Sequence, residues 1–107
     1  NGLLLTKSKD EPSALYGESA CVKYSLIANG VKINGKVENS IIFRGVEIQE
    51  GAVIKNSVIF ERSMIEKNAV VVNTITDKGV LVKENVTVVG NPNYPYELKK
   101  NAILEDK

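Results

Sequence analysis

The chain contains no histidine. Imidazole is the commonest general base at neutral pH and the commonest metal ligand, so this gap argues against two broad classes of chemistry at once. Cysteine is nearly as scarce. With Cys21 alone and no His, a zinc site of standard make-up cannot be assembled within one chain, and no metal or cofactor site is expected in it. Cys21 also lacks a partner for an internal disulfide, which fits a reducing compartment, and we expect a cytoplasmic protein. Neither sign of charge is in excess. The 14 basic and 13 acidic residues are spread along the chain and leave no basic stripe to follow a phosphate backbone, so nucleic acid is not an expected partner. No apolar run approaches the roughly 20 residues that span a bilayer, and NGLLL is too short for the apolar core of a signal peptide. No membrane association is expected. An initiating Met is missing too, so the chain is expected to be a piece of a longer one.

What the 107 residues do hold is an ordinary globular balance, 43% hydrophobic and 25% charged, enough for one domain. Between Ser40 and Val89 the chain is rich in Ile and Val, yet it follows neither the alternation of a half-buried strand nor the period of a helix. Comparing the chain with itself reveals another period. Ser40, Ser57 and Thr74 lie 17 apart, as do Asn39, Asn56 and Asn73, and Ile48, Ile65 and Val82. SIIFRGVEIQEGAVIKN is thus followed by SVIFERSMIEKNAVVVN and TITDKGVLVKENVTVVG, and a shift of 15 adds SLIANGVKINGKVEN before them.

Within each unit a finer period near six sets a large aliphatic residue two places after a smaller one. A flat strand of about six residues presents two side chains to one face. Three such strands close a triangular coil, and stacking the coils pairs each strand in parallel with its equivalent. The spacing therefore predicts an all-β fold, a parallel β-helix of about four to five triangular coils over residues 20–90. Before it, 1–19 reads as a short strand at Leu3–Leu5 and a polar loop; after it, 91–107 reads as a tail or cap in which YELKKNAIL returns as a last strand.

Ile33, Val37, Ile48, Ile54, Ile65, Val71, Val82 and Val88 are predicted to fill the interior, beside a file of small residues made by Ala20, Gly35, Ala52, Ala69 and Val86. A 17-residue coil leaves one hexad a residue short, and the shortening is placed at FRG, FER and DKG. On that register Ile41, Phe43, Val58 and Phe60 point inward. Ile27, Ile42 and Ile59 then form an outward apolar file, with Val53 and Val70 a second outward pair, and these five are the candidate interface residues. The prism is expected to loosen where Asp77 replaces Phe43 and Phe60, and Cys21 to face outward.

TKSKDEPSALY, YSLIANG and VENSIIFRGVEIQEGAVIKNSVI resemble the carboxy-terminal β-helix domain of bacterial glucose-1-phosphate adenylyltransferase, and the similarity covers nearly the whole chain. That enzyme makes ADP-glucose from ATP and glucose 1-phosphate for glycogen biosynthesis. SLIANG and FRG resemble the subunit of that pathway regarded as regulatory. The resemblance implies left-handed coils, against the general preference for right-handed crossovers. It also implies an amino-terminal nucleotidyltransferase domain, absent from this sequence, that uses ATP and Mg. The β-helix would pack on that domain, join a homo- or hetero-tetramer, and help to form a site for a sugar-phosphate or nucleotide effector. It would carry no catalytic residue itself: ANG, NGK and RGV are single-glycine corners, not a phosphate-cradling loop.

Arg44 and Arg62, at the same corner of consecutive coils, are the candidate effector-anion residues, through bidentate hydrogen bonds to a phosphate; plain surface charge is the alternative reading. Lys99, Lys100 and Lys107 are candidates to complete such a site. Glu47, Glu50, Glu61 and Glu66 read as solvated charges, and Tyr94 and Tyr96 as packing anchors for the tail. A second functional reading is a hexapeptide-repeat acyltransferase, a trimer with acyl-coenzyme A between prisms. That chemistry usually takes a His as general base, which this chain does not supply. A third is a solenoid with a structural role only.

Overall fold

A computed structural model describes residues 13–105. In chain order its strands are β1 (Leu15–Tyr16), β2 (Cys21–Lys23), β3 (Leu26–Ile27), β4 (Lys32–Ile33), β5 (Lys36–Glu38), β6 (Ile41–Ile42), β7 (Glu47–Ile48) and β8 (Val53–Lys55). They continue as β9 (Val58–Ile59), β10 (Met64–Ile65), β11 (Val70–Val72), β12 (Thr74–Thr76), β13 (Leu81–Val82), β14 (Thr87–Val89), β15 (Tyr96–Leu98) and β16 (Ile103–Leu104). No helix occurs among the described residues. Every third strand joins the same sheet, giving parallel sheets of six (β1-β4-β7-β10-β13-β16), five (β2-β5-β8-β11-β14) and five (β3-β6-β9-β12-β15) strands. The chain is a parallel β-solenoid with three walls, 42 Å in its longest dimension.

Each wall sends two side chains inward, two positions apart, because alternate residues of a strand share a face. On the first wall these are Val31 and Ile33, Val46 and Ile48, Ser63 and Ile65, and Val80 and Val82, all fully buried. On the second, Ala52 and Ile54 are followed by Ala69 and Val71 and by Val86 and Val88, with Val37 one coil earlier. Gly35 stands where Ala52 stands in the next coil, and the reason is steric: a Cβ there would collide with the carbonyl oxygen of Ala52. This coil is two residues shorter than its successors, and the loss falls at Gly35, where Ile33 and Val37 are four apart against six for Ile48 and Ile54.

The third wall differs from the sequence reading. Ile42 and Ile59 are 1% and 0% exposed, and Ile27 packs against the core, while Ile41 is 38% exposed and Val58 half-buried. Ile27, Ile42 and Ile59 therefore point inward, and Ile41, Phe43, Val58 and Phe60 point outward. The cause is the position of the short step. From Ile48 to Ile54 and from Ile59 to Ile65 the inward residues are six apart, but from Ile54 to Ile59 they are five apart, so the residue is lost between the second and third walls and not at FRG, FER and DKG. A one-residue shift turns every side chain of a strand to the other face.

The sequence of that corner explains the step. Asn39, Asn56 and Asn73 occupy it in successive coils with φ of 51°, 49° and 52°, the left-handed region that Asn tolerates better than other non-glycine residues. Their side chains bond across coils: Asn39 Nδ2 donates to Asn56 Oδ1 at 2.7 Å, and Asn73 Nδ2 donates to the Gly90 carbonyl at 3.0 Å. The next residue is always a hydroxyl one. The amide of Ser40 donates to Ser25 Oγ, that of Ser57 to Ser40 Oγ and that of Thr74 to Ser57 Oγ, at 3.0 to 3.1 Å. Each of these hydroxyls donates in turn to a carbonyl two residues back, of Glu38, Lys55 and Val72 for the last three.

The corner at Asp77 stays closed. The Asp77 amide donates to the Leu98 carbonyl at 2.9 Å, continuing the ladder into the next coil, and its carboxylate accepts from the Lys78 amide at 2.7 Å. Asp77 is exposed because this position faces outward, in line with Phe43 and Phe60. β1 lies within the stretch read as a loop and pairs with β4, whereas Leu3–Leu5 falls outside the described residues. At the other end β15 and β16 extend the third and first walls. The segment between β14 and β15 closes on itself through an antiparallel bridge from Asn91 to Tyr94, with Tyr94 80% exposed rather than packed.

Candidate functional site

The corner between the third and first walls gathers most of the candidate side chains. There the registers β6–β9 and β9–β12 place Arg44, Glu61 and Lys78 in one column of successive coils, and Gly45, Arg62 and Gly79 in the next. Arg44 and Arg62 thus share the corner but stand diagonally and not one above the other. Both are exposed, and they touch through the backbone, the Arg62 amide donating to the Arg44 carbonyl at 3.0 Å. The same bond recurs one coil on from the Gly79 amide to the Glu61 carbonyl, and again from the Asn101 amide to Lys78. Lys99 and Lys100 continue the rows of Asp77 and Lys78 and are exposed. Lys107 lies outside the described residues.

Glu61 breaks the basic run. It is half-buried, and its Oε1 has no hydrogen-bond partner among the described residues. Beside this column Phe43 and Phe60 stack with ring centroids 4.6 Å apart and planes 17° from parallel, a separation that the spacing of about 4.8 Å between coils sets. Glu47 and Glu66 are half-buried on the first wall and Glu50 is exposed. Val53 and Val70 face outward on the second wall, half-buried, and Cys21 is exposed at the start of the same wall. Among the described residues no three His, Cys, Asp or Glu side chains converge to hold a metal ion, and no helix is long and apolar enough to cross a membrane.

Sequence reasoning missed the outward apolar file of the third wall: Leu26, Ile41, Val58 and Ile75, register partners through β3, β6, β9 and β12. The signal that locates it is the recurring Asn-Ser, Asn-Ser and Asn-Thr pair, since a left-handed Asn followed by a buried hydroxyl marks the five-residue step.

Three parallel walls with paired inward residues, recurring every five or six positions from Val37 onward, define a hexapeptide-repeat β-helix domain. The chain belongs to the GlmU-like, C-terminal hexapeptide family, the match running over residues 13–97. It is 55% identical over 51 residues to the glycogen biosynthesis protein GlgD of Geobacillus stearothermophilus, and 50% identical over 48 residues to GlgD of Bacillus subtilis (strain 168). It is 43% identical over 54 residues to glucose-1-phosphate adenylyltransferase of Thermosipho africanus (strain TCF52B). These stretches are 48%, 45% and 50% of this chain but only 15%, 14% and 13% of the respective relatives. The chain therefore corresponds to a small part of each.

Proposed function

We propose that this chain is the β-helix domain of a cytoplasmic glycogen-biosynthesis subunit of the glucose-1-phosphate adenylyltransferase type, and that its work is assembly and regulation, not chemistry. The observation that carries the reading is the combination of a hexapeptide-repeat solenoid with 55% identity to a GlgD across 48% of this chain. In this reading a nucleotidyltransferase domain beyond this sequence makes ADP-glucose from ATP and glucose 1-phosphate. Mg and ATP are bound there: the described residues offer no convergent ligand set for the ion, and no step of the reaction runs through them. The solenoid supplies flat walls for that domain and for neighbouring subunits of a tetramer. Arg44 and Arg62, with Lys78, Lys99 and Lys100 along the same corner, provide cationic donors toward a sugar-phosphate or nucleotide effector.

The test has two arms. The chain alone, given ATP, Mg and glucose 1-phosphate, should release no pyrophosphate above buffer, and measurable turnover by highly purified protein overturns the non-catalytic assignment. In the second arm the chain replaces the matching segment of the Bacillus subtilis GlgD. The chimera should keep the parent's assembly size and its effect on ADP-glucose synthesis, and loss of both in a folded chimera overturns the family role. Transfer of an acetyl group from acetyl-coenzyme A by the isolated chain would favour the acyltransferase reading instead.

A further inference from the structure

Tyr24 is out of character with its column. It stands one coil before Asn39, Asn56 and Asn73 in register, and it holds the same left-handed backbone, with φ of 51°. Asn tolerates that region, whereas a bulky aromatic residue there is a conformational outlier. Burial does not offset the strain, since Tyr24 is 86% exposed. A strained residue that the packing does not use points to a function.

The Tyr24 ring borders a groove of about 390 Å³ that crosses three coils at the corner of the second and third walls. Leu26, Ile41 and Val58 form its apolar side, and Asn39 and Asn56 its polar side. Asp, Glu, Lys and Arg are all missing from the lining, in a chain that is 25% charged. The groove thus has no countercharge for a phosphate, a nucleotide or a charged peptide. Asn39 Nδ2 donates to Asn56 Oδ1, which leaves an acceptor oxygen on Asn39 and amide hydrogens on both residues for another molecule. Donors and acceptors beside an apolar strip and an aromatic ring match a ligand with hydroxyls round its rim and C–H groups on its faces, and a pyranose sugar is such a ligand. Equivalent groups recur with each coil, about 4.8 Å apart, so the groove suits a chain of sugars better than a single one.

We propose that this groove binds a neutral glucan chain. Tyr24 stacks on the face of one glucose unit, and Asn39 and Asn56 exchange hydrogen bonds with hydroxyls of the units that follow. The choice of an α-linked glucan rests on the glycogen-biosynthesis reading above; the choice of a neutral, hydroxyl-rich polymer rests on the groove. Binding there holds the subunit at the polymer whose precursor the parent enzyme supplies.

Heteronuclear amide NMR of the purified chain, titrated with maltoheptaose to about 10 mM, should shift the side-chain amides of Asn39 and Asn56 with a dissociation constant of roughly 0.1 to 1 mM, as befits a shallow open site. Tyr24→Ala should weaken binding about tenfold or more, and Tyr24→Phe less than about threefold, because the ring and not the hydroxyl stacks. Asn56→Gly keeps the left-handed backbone and should weaken binding about threefold or more. Tyr24→Asn makes the column uniform and should raise the urea midpoint while losing the sugar, a pair of changes that a structural role for the ring does not give. Tyr94→Ala, at another strongly exposed tyrosine, should leave the affinity unchanged, and glucose 1-phosphate should leave the Asn39 and Asn56 amides in place.

Unmoved Asn39 and Asn56 amides across the maltoheptaose titration overturn the proposal. Undiminished binding by folded Tyr24→Ala puts the sugar elsewhere and overturns it too. Equal shifts with glucose 1-phosphate overturn the neutral-polymer assignment, and tighter binding of β-linked cellohexaose overturns the α-linked one. The GlgD chimera can succeed while this titration fails, so the two readings fall separately.

Discussion

Arg62 occupies, one coil on, the corner position of Gly45, and both hold left-handed backbone, with φ of 60° and 74°. The same column contains Gly30 at 76°, Gly79 at 68° and Asn101 at 61°. Every coil among the described residues turns the same way here, and of these five residues Arg62 alone does so with a long side chain. A non-glycine residue in this region costs roughly 1–2 kcal/mol, part of which glycine returns through its greater freedom in the unfolded chain. Arg62→Gly should therefore stabilise the fold by about 0.5–1 kcal/mol, seen as a higher urea midpoint at unchanged slope. A lower midpoint would show that the Arg62 side chain contributes more than its backbone strain removes.

The register of the third wall can be checked with two adjacent residues. Ile59 is 0% exposed and Val58 is half-buried and outward. Ile59→Ala should cost about 2–4 kcal/mol, the range for a cavity in a packed interior, and Val58→Ala less than about 1 kcal/mol. Comparable losses at the two sites, or a larger one at Val58, would return the wall to the opposite register.

That wall also shows where reading a repeat from sequence stops. Ile33, Ile48, Ile65 and Val82 on the first wall and Val37, Ile54, Val71 and Val88 on the second were legible as interior files, because the step between the two walls is six residues in three successive coils, and the four-residue step from Ile33 to Val37 is an even number that keeps the same face inward. The 17-residue period gives the size of the deficit in each coil but not its location. Phe60, six after Ile54, continues the period in appearance while standing one residue out of phase in space. Placing the gap after the third wall instead of before it inverted Ile42 and Ile59 and hid the file through Ile41 and Val58. The charged corner was legible in the same partial way. Arg44 and Arg62 were assigned to one corner, but their diagonal relation follows from register, and the half-buried state of Glu61 follows from packing that no local pattern encodes.

Ser57 tests the device that makes the five-residue step possible. Its hydroxyl accepts from the Thr74 amide at 3.1 Å and donates to the Lys55 carbonyl at 2.8 Å, with Ser57 3% and Thr74 0% exposed. The hydroxyl thus stands in for a carbonyl as the acceptor of the next coil's amide. Ser57→Ala removes that acceptor without making room for water, leaving a buried N–H unpaired, and should cost about 1–3 kcal/mol in urea denaturation. The same substitution should speed exchange of the Thr74 amide more than that of Ile75, whose partner Val58 is untouched. Thr74 occupies the equivalent position one coil on and its hydroxyl likewise donates to the carbonyl two residues back, so Ser57→Thr keeps the hydroxyl in place and should cost less than Ser57→Ala, within about 1 kcal/mol of the parent. If alanine and threonine were equally tolerated, the hydroxyl ladder would be a consequence of the corner and not one of its causes.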